Sequence, residues 1–229
     1  MTGGAAPGDE EGATADAGGA ALRFVPLRAA TPAQRAAFFA IYHEALPPSE
    51  RKADAAILAQ AERADCVVEL AELDGAAAGF LLLYRAQAHA MALLDYLGVA
   101  ASARSGGLGS RLFARIAALS ASRTLLIEVE TDRETDAPDI DQRRRRKRFY
   151  ARQGCRQLAH LSYVMPTVGH EAPPRMDLLA LTGQDAVERA ALQAWLADVY
   201  QQVYDQPQGH PMIARMMAGL PERLAFQAI

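Results

Sequence analysis

Cysteine is nearly absent: Cys66 and Cys155 are the only two in 229 residues. Two are too few for a disulfide framework, and without a CxxC spacing they make no zinc site, so a reducing compartment suits them. The five histidines, His43, His89, His160, His170 and His210, form no i, i+4 pair, and a metal is not expected. Long apolar runs are missing as well. The longest, Gly75 to Tyr84, has ten residues, against the roughly 18 that a membrane helix requires. No basic residue precedes Arg23, so the N-terminus does not read as a secretory signal. The expectation is a cytoplasmic protein with no membrane partner. An excess of one charge is lacking too: the net charge is −3, and Asp9, Glu10, Glu11 and Asp16 leave the remainder at about +1. A near-neutral body gives no general field to attract nucleic acid.

What is present falls into three parts. Residues 1–21 are dominated by Gly and Ala, with no aromatic residue and no aliphatic side chain larger than alanine before Leu22; such a segment cannot bury enough apolar area to order itself, and reads as a disordered tail. Residues 22–182 carry regular α/β punctuation. A strand over Leu22 to Leu27 leads into Thr31-Pro32, a cap and first-turn proline for a helix to about Tyr42. Ser49 caps a second helix, from Glu50 to about Arg63. Strands Cys66 to Leu73 and Ala76 to Tyr84 are joined by Asp74-Gly75, a two-residue hairpin signal. Met91 to Val99 is apolar on both alternating faces, as a central strand should be. Leu108, Leu112, Ile116 and Leu119 recur at helical spacing. Then follow a strand at Thr124 to Glu130, a helix from Asp141 to Gln153, and strands at Arg156 to Val164 and Met176 to Leu181. Residues 183–229 read as a helical extension, with Leu192, Trp195, Leu196, Val199 and Val203 on one stripe that must pack on the domain or on a second copy of it.

Chemistry concentrates between Leu94 and Phe113. An apolar strand runs into Arg104-Ser105-Gly106-Gly107-Leu108-Gly109-Ser110, where a helix begins. Glycines let backbone amides approach an anion closely, and a helix N-terminus adds unpaired N–H groups with positive dipole character. The spacing is not that of a dinucleotide fingerprint, and the lysine of a P-loop is lacking.

Three segments together resemble the GNAT superfamily of N-acetyltransferases: Leu97-Gly98-Val99 followed by R-x-x-G-x-G at Arg104, Gly107 and Gly109; Leu126-Ile127-Glu128-Val129; and Phe149-Tyr150-Ala151-Arg152-Gln153-Gly154-Cys155. They stand in family order over roughly residues 22–182. The resemblance implies an α+β GNAT fold, a splayed, mixed and mostly antiparallel sheet flanked by helices, with acetyl-CoA held between the fourth and fifth strands. It assigns the backbone of Leu97, Gly98 and Val99 to the pantetheine and thioester, and Arg104 through Ser110 to the pyrophosphate. Tyr150 matches the acid that protonates the leaving thiolate. Glu128 matches the general base of ribosomal-protein N-terminal acetyltransferases. Asp95, mid-strand and expected to face the same way as Leu97, is the rival base. The implied reaction is direct transfer of acetyl from acetyl-CoA to a primary amine in a ternary complex. From another class, the alternative is a non-catalytic CoA-binding or interaction module.

Several features depart from the family pattern or stand outside it. Glu128 and Tyr150 are farther apart than in the related N-terminal enzymes, implying an insertion around Thr131 to Asp141; Arg143 stands where an asparagine is common, and Cys155 replaces an aromatic residue. The run Arg143 to Arg148 looks like a nucleic-acid patch, but residues 128–152 hold seven acids against eight bases, so a self-neutralising helix and loop is expected, without nucleic acid as a partner. His43 and Glu44 are candidate acceptor contacts.

Overall fold

Along Ala76–Arg85, Phe80, Leu82 and Tyr84 alternate with Leu81 and Leu83, and all five are buried. A strand apolar on both sides needs a layer on each, and this one has helices above and below. The structure is a computed structural model, and it describes residues 20–104, 106–166 and 175–229. Ser105, the side chain of Ser49 and most of the N-terminal tail lie outside the described residues.

Among these residues the strands are β1 (Leu22–Pro26), β2 (Cys66–Leu73), β3 (Ala76–Arg85), β4 (Met91–Val99), β5 (Thr124–Glu130), β6 (Arg156–Leu158), β7 (Tyr163–Val164), β8 (Arg175–Leu181), β9 (Ala186–Glu188) and β10 (Arg223–Gln227). They form one mixed sheet in the order β1-β2-β3-β4-β5-β8-β6-β10-β9, with β7 beside β8. Only β4 and β5 pair in parallel, joined by a crossover through α3 (Leu108–Leu119). The other helices are α1 (Pro32–Ala45), α2 (Asp54–Ala61), α4 (Ile140–Arg152), α5 (Arg189–Gln202) and α6 (Pro211–Met217).

Strand alternation sorts the helices by face. Phe80 and Leu82 pack with Phe38, Tyr42 and Ile57 of α1 and α2, and Tyr84, Leu93 and Leu126 pack with Trp195, Leu196 and Ile213 of α5 and α6. Leu81, Leu83, Leu94 and Ile127 point the other way, onto Phe113 and Ile116 of α3 and Tyr150 of α4. One face therefore carries two helix pairs side by side, and the opposite face carries α3 and α4.

Three details differ from the sequence reading. The second helix begins later: Pro48–Glu50 is a single 3-10 turn, Arg51–Ala53 is irregular, and α2 starts at Asp54 without a side-chain cap. Tyr42 holds that irregular stretch, its hydroxyl accepting the Lys52 N–H at 2.8 Å and donating to the Lys52 carbonyl at 3.2 Å. The strand expected over Arg156 to Val164 is broken near His160, whose φ of 62° turns the chain. Residues 183–229 are not helical throughout, because β9 and β10 join the sheet; Leu224 and Phe226 of β10 alternate inward. The apolar stripe of α5 is buried on the chain's own sheet.

Candidate functional site

Strands β4 and β5 pair from Met91↔Thr124 to Leu94↔Ile127 and then part. The cause is local. The register of β3 with β4 passes from Leu83↔Leu94 to Leu82↔Tyr96, leaving Asp95 as an extra residue, and such a bulge bends its strand. Beyond it Leu97, Gly98 and Val99 pair with β3 on one edge only, so their other backbone edge faces the gap. Gly98 has a packing reason to be glycine: a Cβ there would lie 2.2 Å from the Phe80 ring.

The bulge also corrects the expected orientation of Asp95. It faces the α1–α2 side with Tyr96, whereas Leu97 packs on the α3 side. Asp95 Oδ2 accepts from Lys52 Nζ at 2.6 Å and from Gln60 Nε2 at 3.1 Å. The Lys52 ammonium also stands 5.6 Å from the Tyr96 ring centre and 5.7 Å from that of Tyr204.

Glu128 is the first β5 residue past the last β4–β5 pair, on the same face as Asp95. Its two carboxylate oxygens accept hydrogen bonds from the hydroxyls of Tyr163 and Tyr204. Burial raises its pKa from the ordinary 4.5 to about 7; the two phenols and Lys52 oppose the rise, and Asp95 adds to it. A carboxylate with this pKa is divided between its two forms at neutral pH, as a general base requires. Neither tyrosine was singled out in the sequence, because Tyr163 follows an unforeseen turn and Tyr204 lies just past the end of α5, 76 positions from Glu128.

Tyr150 lies on the opposite face, against Phe113 and Phe149 with ring centres 5.6 and 5.1 Å away. Its hydroxyl makes no hydrogen bond among the described residues, and burial raises its pKa to about 12, so the phenol stays protonated throughout the neutral range.

At the mouth of the gap, Gly107 precedes α3 with φ +74° and open space where a Cβ would stand. Positive φ there favours glycine. The first amides of α3, those of Leu108 and Gly109, are helix-end donors without an intrahelical acceptor. Gly106 is exposed beside them, Arg104 Nε donates to the Val99 carbonyl at 3.3 Å, and Ser110 Oγ accepts from Gln153, just past α4, at 3.0 Å. Helix-end amides without intrahelical partners therefore lie where the strand gap begins.

The sequence model of the acetyltransferase (GNAT) family matches residues 33–154, more than half of the chain. The chain belongs to the GNAT acetyltransferase family. Solved structures share the fold at low identity. A protein described as a GNAT-family acetyltransferase from Bacteroides thetaiotaomicron superposes with a TM-score of 0.68 at 19% identity, covering 81% of this chain and 99% of that one. An aminoglycoside 6'-N-acetyltransferase complexed with coenzyme A gives 0.51 at 16%, covering 70% and 96%. Ard1 from Thermoplasma volcanium gives 0.50 at 16%, again covering 70% and 96%. None of the curated proteins matches the chain. Membership of the GNAT family implies acetyl transfer from acetyl-CoA, and the open helix-end amides and one-sided β4 edge suit a pyrophosphate and an extended amide chain.

Half of the basic run, Arg143, Arg146 and Lys147, is held in close ion pairs among the described residues. Arg143 pairs with Asp139 at 3.0 Å and Glu134 at 3.3 Å, Arg146 with Glu130 at 3.0 Å, and Lys147 with Asp132 at 2.7 Å and Asp177 at 3.0 Å. The Thr131 to Asp141 segment thus supplies acids to α4. His43 is an exposed partner of Asp54 at 2.8 Å, and Glu44 accepts from the Ala101 N–H at 3.3 Å. An open hollow of about 350 Å³, lined by Ser120, Arg123 and Thr182 among others, lies at the other end of α3 from the glycines. Among the described residues no helix is long and apolar enough to cross a membrane, and no three His, Cys, Asp or Glu side chains gather in metal-binding geometry.

Proposed function

We propose that the chain transfers the acetyl group of acetyl-CoA to a primary amine by direct attack in a ternary complex, with Glu128 as general base and Tyr150 as general acid. The observation that carries this reading is that Glu128 and Tyr150 lie on opposite faces of the sheet where β4 and β5 part. An acceptor entering from the α1–α2 and α5 side meets the carboxylate. A thioester reaching the gap from the glycine-rich end of α3 meets the phenol.

Attack requires a neutral amine, so a carboxylate with a pKa of about 7 removes its proton. The nitrogen bonds to the thioester carbon, the carbon–sulfur bond breaks, and the sulfur takes its proton from Tyr150; the second proton, shed as the nitrogen becomes an amide, restores the phenol. The free edge of β4 at Leu97, Gly98 and Val99 offers the hydrogen bonds that orient the thioester and its pantetheine arm. Gly106 through Ser110 hold the pyrophosphate with backbone amides, and Arg104 flanks them. Asp95 ranks behind Glu128 as the base because Lys52 and Gln60 occupy its Oδ2. A reducing cytoplasmic setting fits the two buried free cysteines.

The test is an amine panel scored by release of free CoA thiol, repeated with three variants. Tyr150→Phe should lower kcat by about 10- to 1000-fold, roughly 1.4 to 4 kcal/mol of transition-state stabilisation, while sparing acetyl-CoA affinity. Glu128→Gln should remove the acid limb near pH 7 from the kcat/KM profile and leave one set by the amine's own, higher pKa, so that activity recovers in part at high pH. Loss of that limb in Asp95→Asn and its survival in Glu128→Gln would transfer the base role to Asp95. CoA binding without thiol release on any amine favours a binding module.

A further inference from the structure

The GNAT family match ends at residue 154, and both hydrogen bonds to Glu128 come from beyond it. Tyr163 reaches Glu128 Oε1 from β7, where the turn at His160 redirects the chain. Tyr204 reaches Oε2 from just past the end of α5. Tyr163 is buried and Tyr204 half-buried, and desolvation together with the neighbouring Glu128 charge keeps both phenols protonated and therefore donors. Two donors, one on each oxygen, fix the plane of the carboxylate and leave each oxygen a second lone pair for an incoming N–H.

The Tyr204 position is held from several directions. The α5 helix is pinned by Tyr84 donating to Asp198 at 2.7 Å and by Arg63 donating to the Gln202 carbonyl at 2.7 Å. Lys52 lies 5.7 Å from the Tyr204 ring centre, so the same tyrosine contacts the Asp95–Lys52 pair and Glu128. The neighbouring Tyr200 donates to the Val164 carbonyl instead, tying α5 to β7.

We propose that Tyr163 and Tyr204 are positioning residues for the base, so that the C-terminal segment outside the family match completes the active site. This rests on the assignment of Glu128 as the base. The physical basis is that a hydrogen bond donated to a carboxylate favours its charged form. The groups that face Glu128 are the two phenols, Asp95 from β4, Lys52 from the stretch before α2 and Tyr200 from α5. Of these, the two phenols alone donate to it among the described residues. Without either donor, burial and Asp95 should raise the pKa of Glu128 further.

The experiment is a carbon-13 NMR titration of the full chain labelled at the glutamate carboxyl carbons, with the Glu128 signal identified by its loss in Glu128→Gln. Tyr204→Phe and Tyr163→Phe should each raise the midpoint by roughly half to one pH unit. Tyr200→Phe should leave it in place. The acid limb of kcat/KM, measured with an amine from the panel, should move by the same amount while KM for acetyl-CoA stays fixed. A wild-type midpoint in both tyrosine variants overturns the proposal, and so does a shifted midpoint with an unmoved acid limb in an enzyme whose limb Glu128→Gln abolishes. An acid limb that stays near pH 7 in Glu128→Gln instead defeats the assignment of the base, whatever the tyrosine variants do.

Discussion

At Gly107 and Gly109 the same residue type answers two different needs. Gly107 has φ +74°, a region that costs an L-residue about 1 kcal/mol or more, so Gly107→Ala should lower stability by about that amount in urea unfolding. Gly109 lies inside α3 with helical backbone, and a Cβ there would meet Phe149 at an ordinary 3.6 Å. Gly109→Ala should therefore hold or raise stability by up to about 1 kcal/mol, through helix propensity alone. Glu128 has the opposite character, because its environment disfavours the charge it needs. Its folded pKa, about 7, is above the ordinary 4.5, so the folded state binds more protons between those values and stability falls as pH rises through that window. Glu128→Gln should melt higher than the wild type at pH 8, by on the order of 1 to 3 kcal/mol, and match it near pH 4. Equal melting at both pH values would show that the carboxylate is not strained.

Helix α4 depends on charge to an unusual degree. Of its residues only Lys147 and Tyr150 are buried, and Lys147 meets Asp177, a fully buried carboxylate on β8. Removing one partner of a buried pair leaves an uncompensated charge, which costs about 3 to 5 kcal/mol. Arg133 also reaches Asp177 and softens the loss, so Lys147→Met should cost about 2 to 3 kcal/mol in urea unfolding. Burial pushes the Asp177 pKa up, but the hydrogen bonds from Arg133 and Lys147 outweigh it and leave it below 3.8. The network is therefore at full strength above that value and fails as pH falls through the lowered one. Because Tyr150 is on the same helix, loosening α4 should also displace the phenol.

Across the whole molecule, the stripe of α5 and the inward side chains of β10 cover the face that bears Leu93, Leu126 and Leu178. Residues 183–229 are thus proposed as part of one folding unit with residues 22–182 rather than an appendage. A chain ended after Thr182 would expose that face, and should bind a hydrophobic dye and lose its cooperative melt. Cooperative melting near the full-length temperature would identify residues 22–182 as an independent domain. Trp195→Ala offers a milder test, with an expected loss of about 3 to 5 kcal/mol.

Local chemistry wrote much of this into the sequence. The Asp74-Gly75 hairpin, the Thr31 helix cap and the boundaries of β4 and β5 follow from turn residues, caps and alternation within a few positions, and the order of the glycine loop, Glu128 and Tyr150 pointed to the GNAT family. The ends of the chain were harder to read. Strand β10 carries a visible alternation in Arg223-Leu224-Ala225-Phe226-Gln227, but five residues are too few to separate a strand from a loop without the β6 and β9 edges they join. The bulge at Asp95 had no local signature. It arises from pairing with β3, and it decided that Asp95 and Leu97 take opposite faces and where the sheet opens. The contacts of Glu128 with Tyr163 and Tyr204, and of Lys52 with Asp95, span 35, 76 and 43 positions. No periodicity extends so far, because what joins those residues is the packing of helices on a sheet, and packing is a property of the assembled fold.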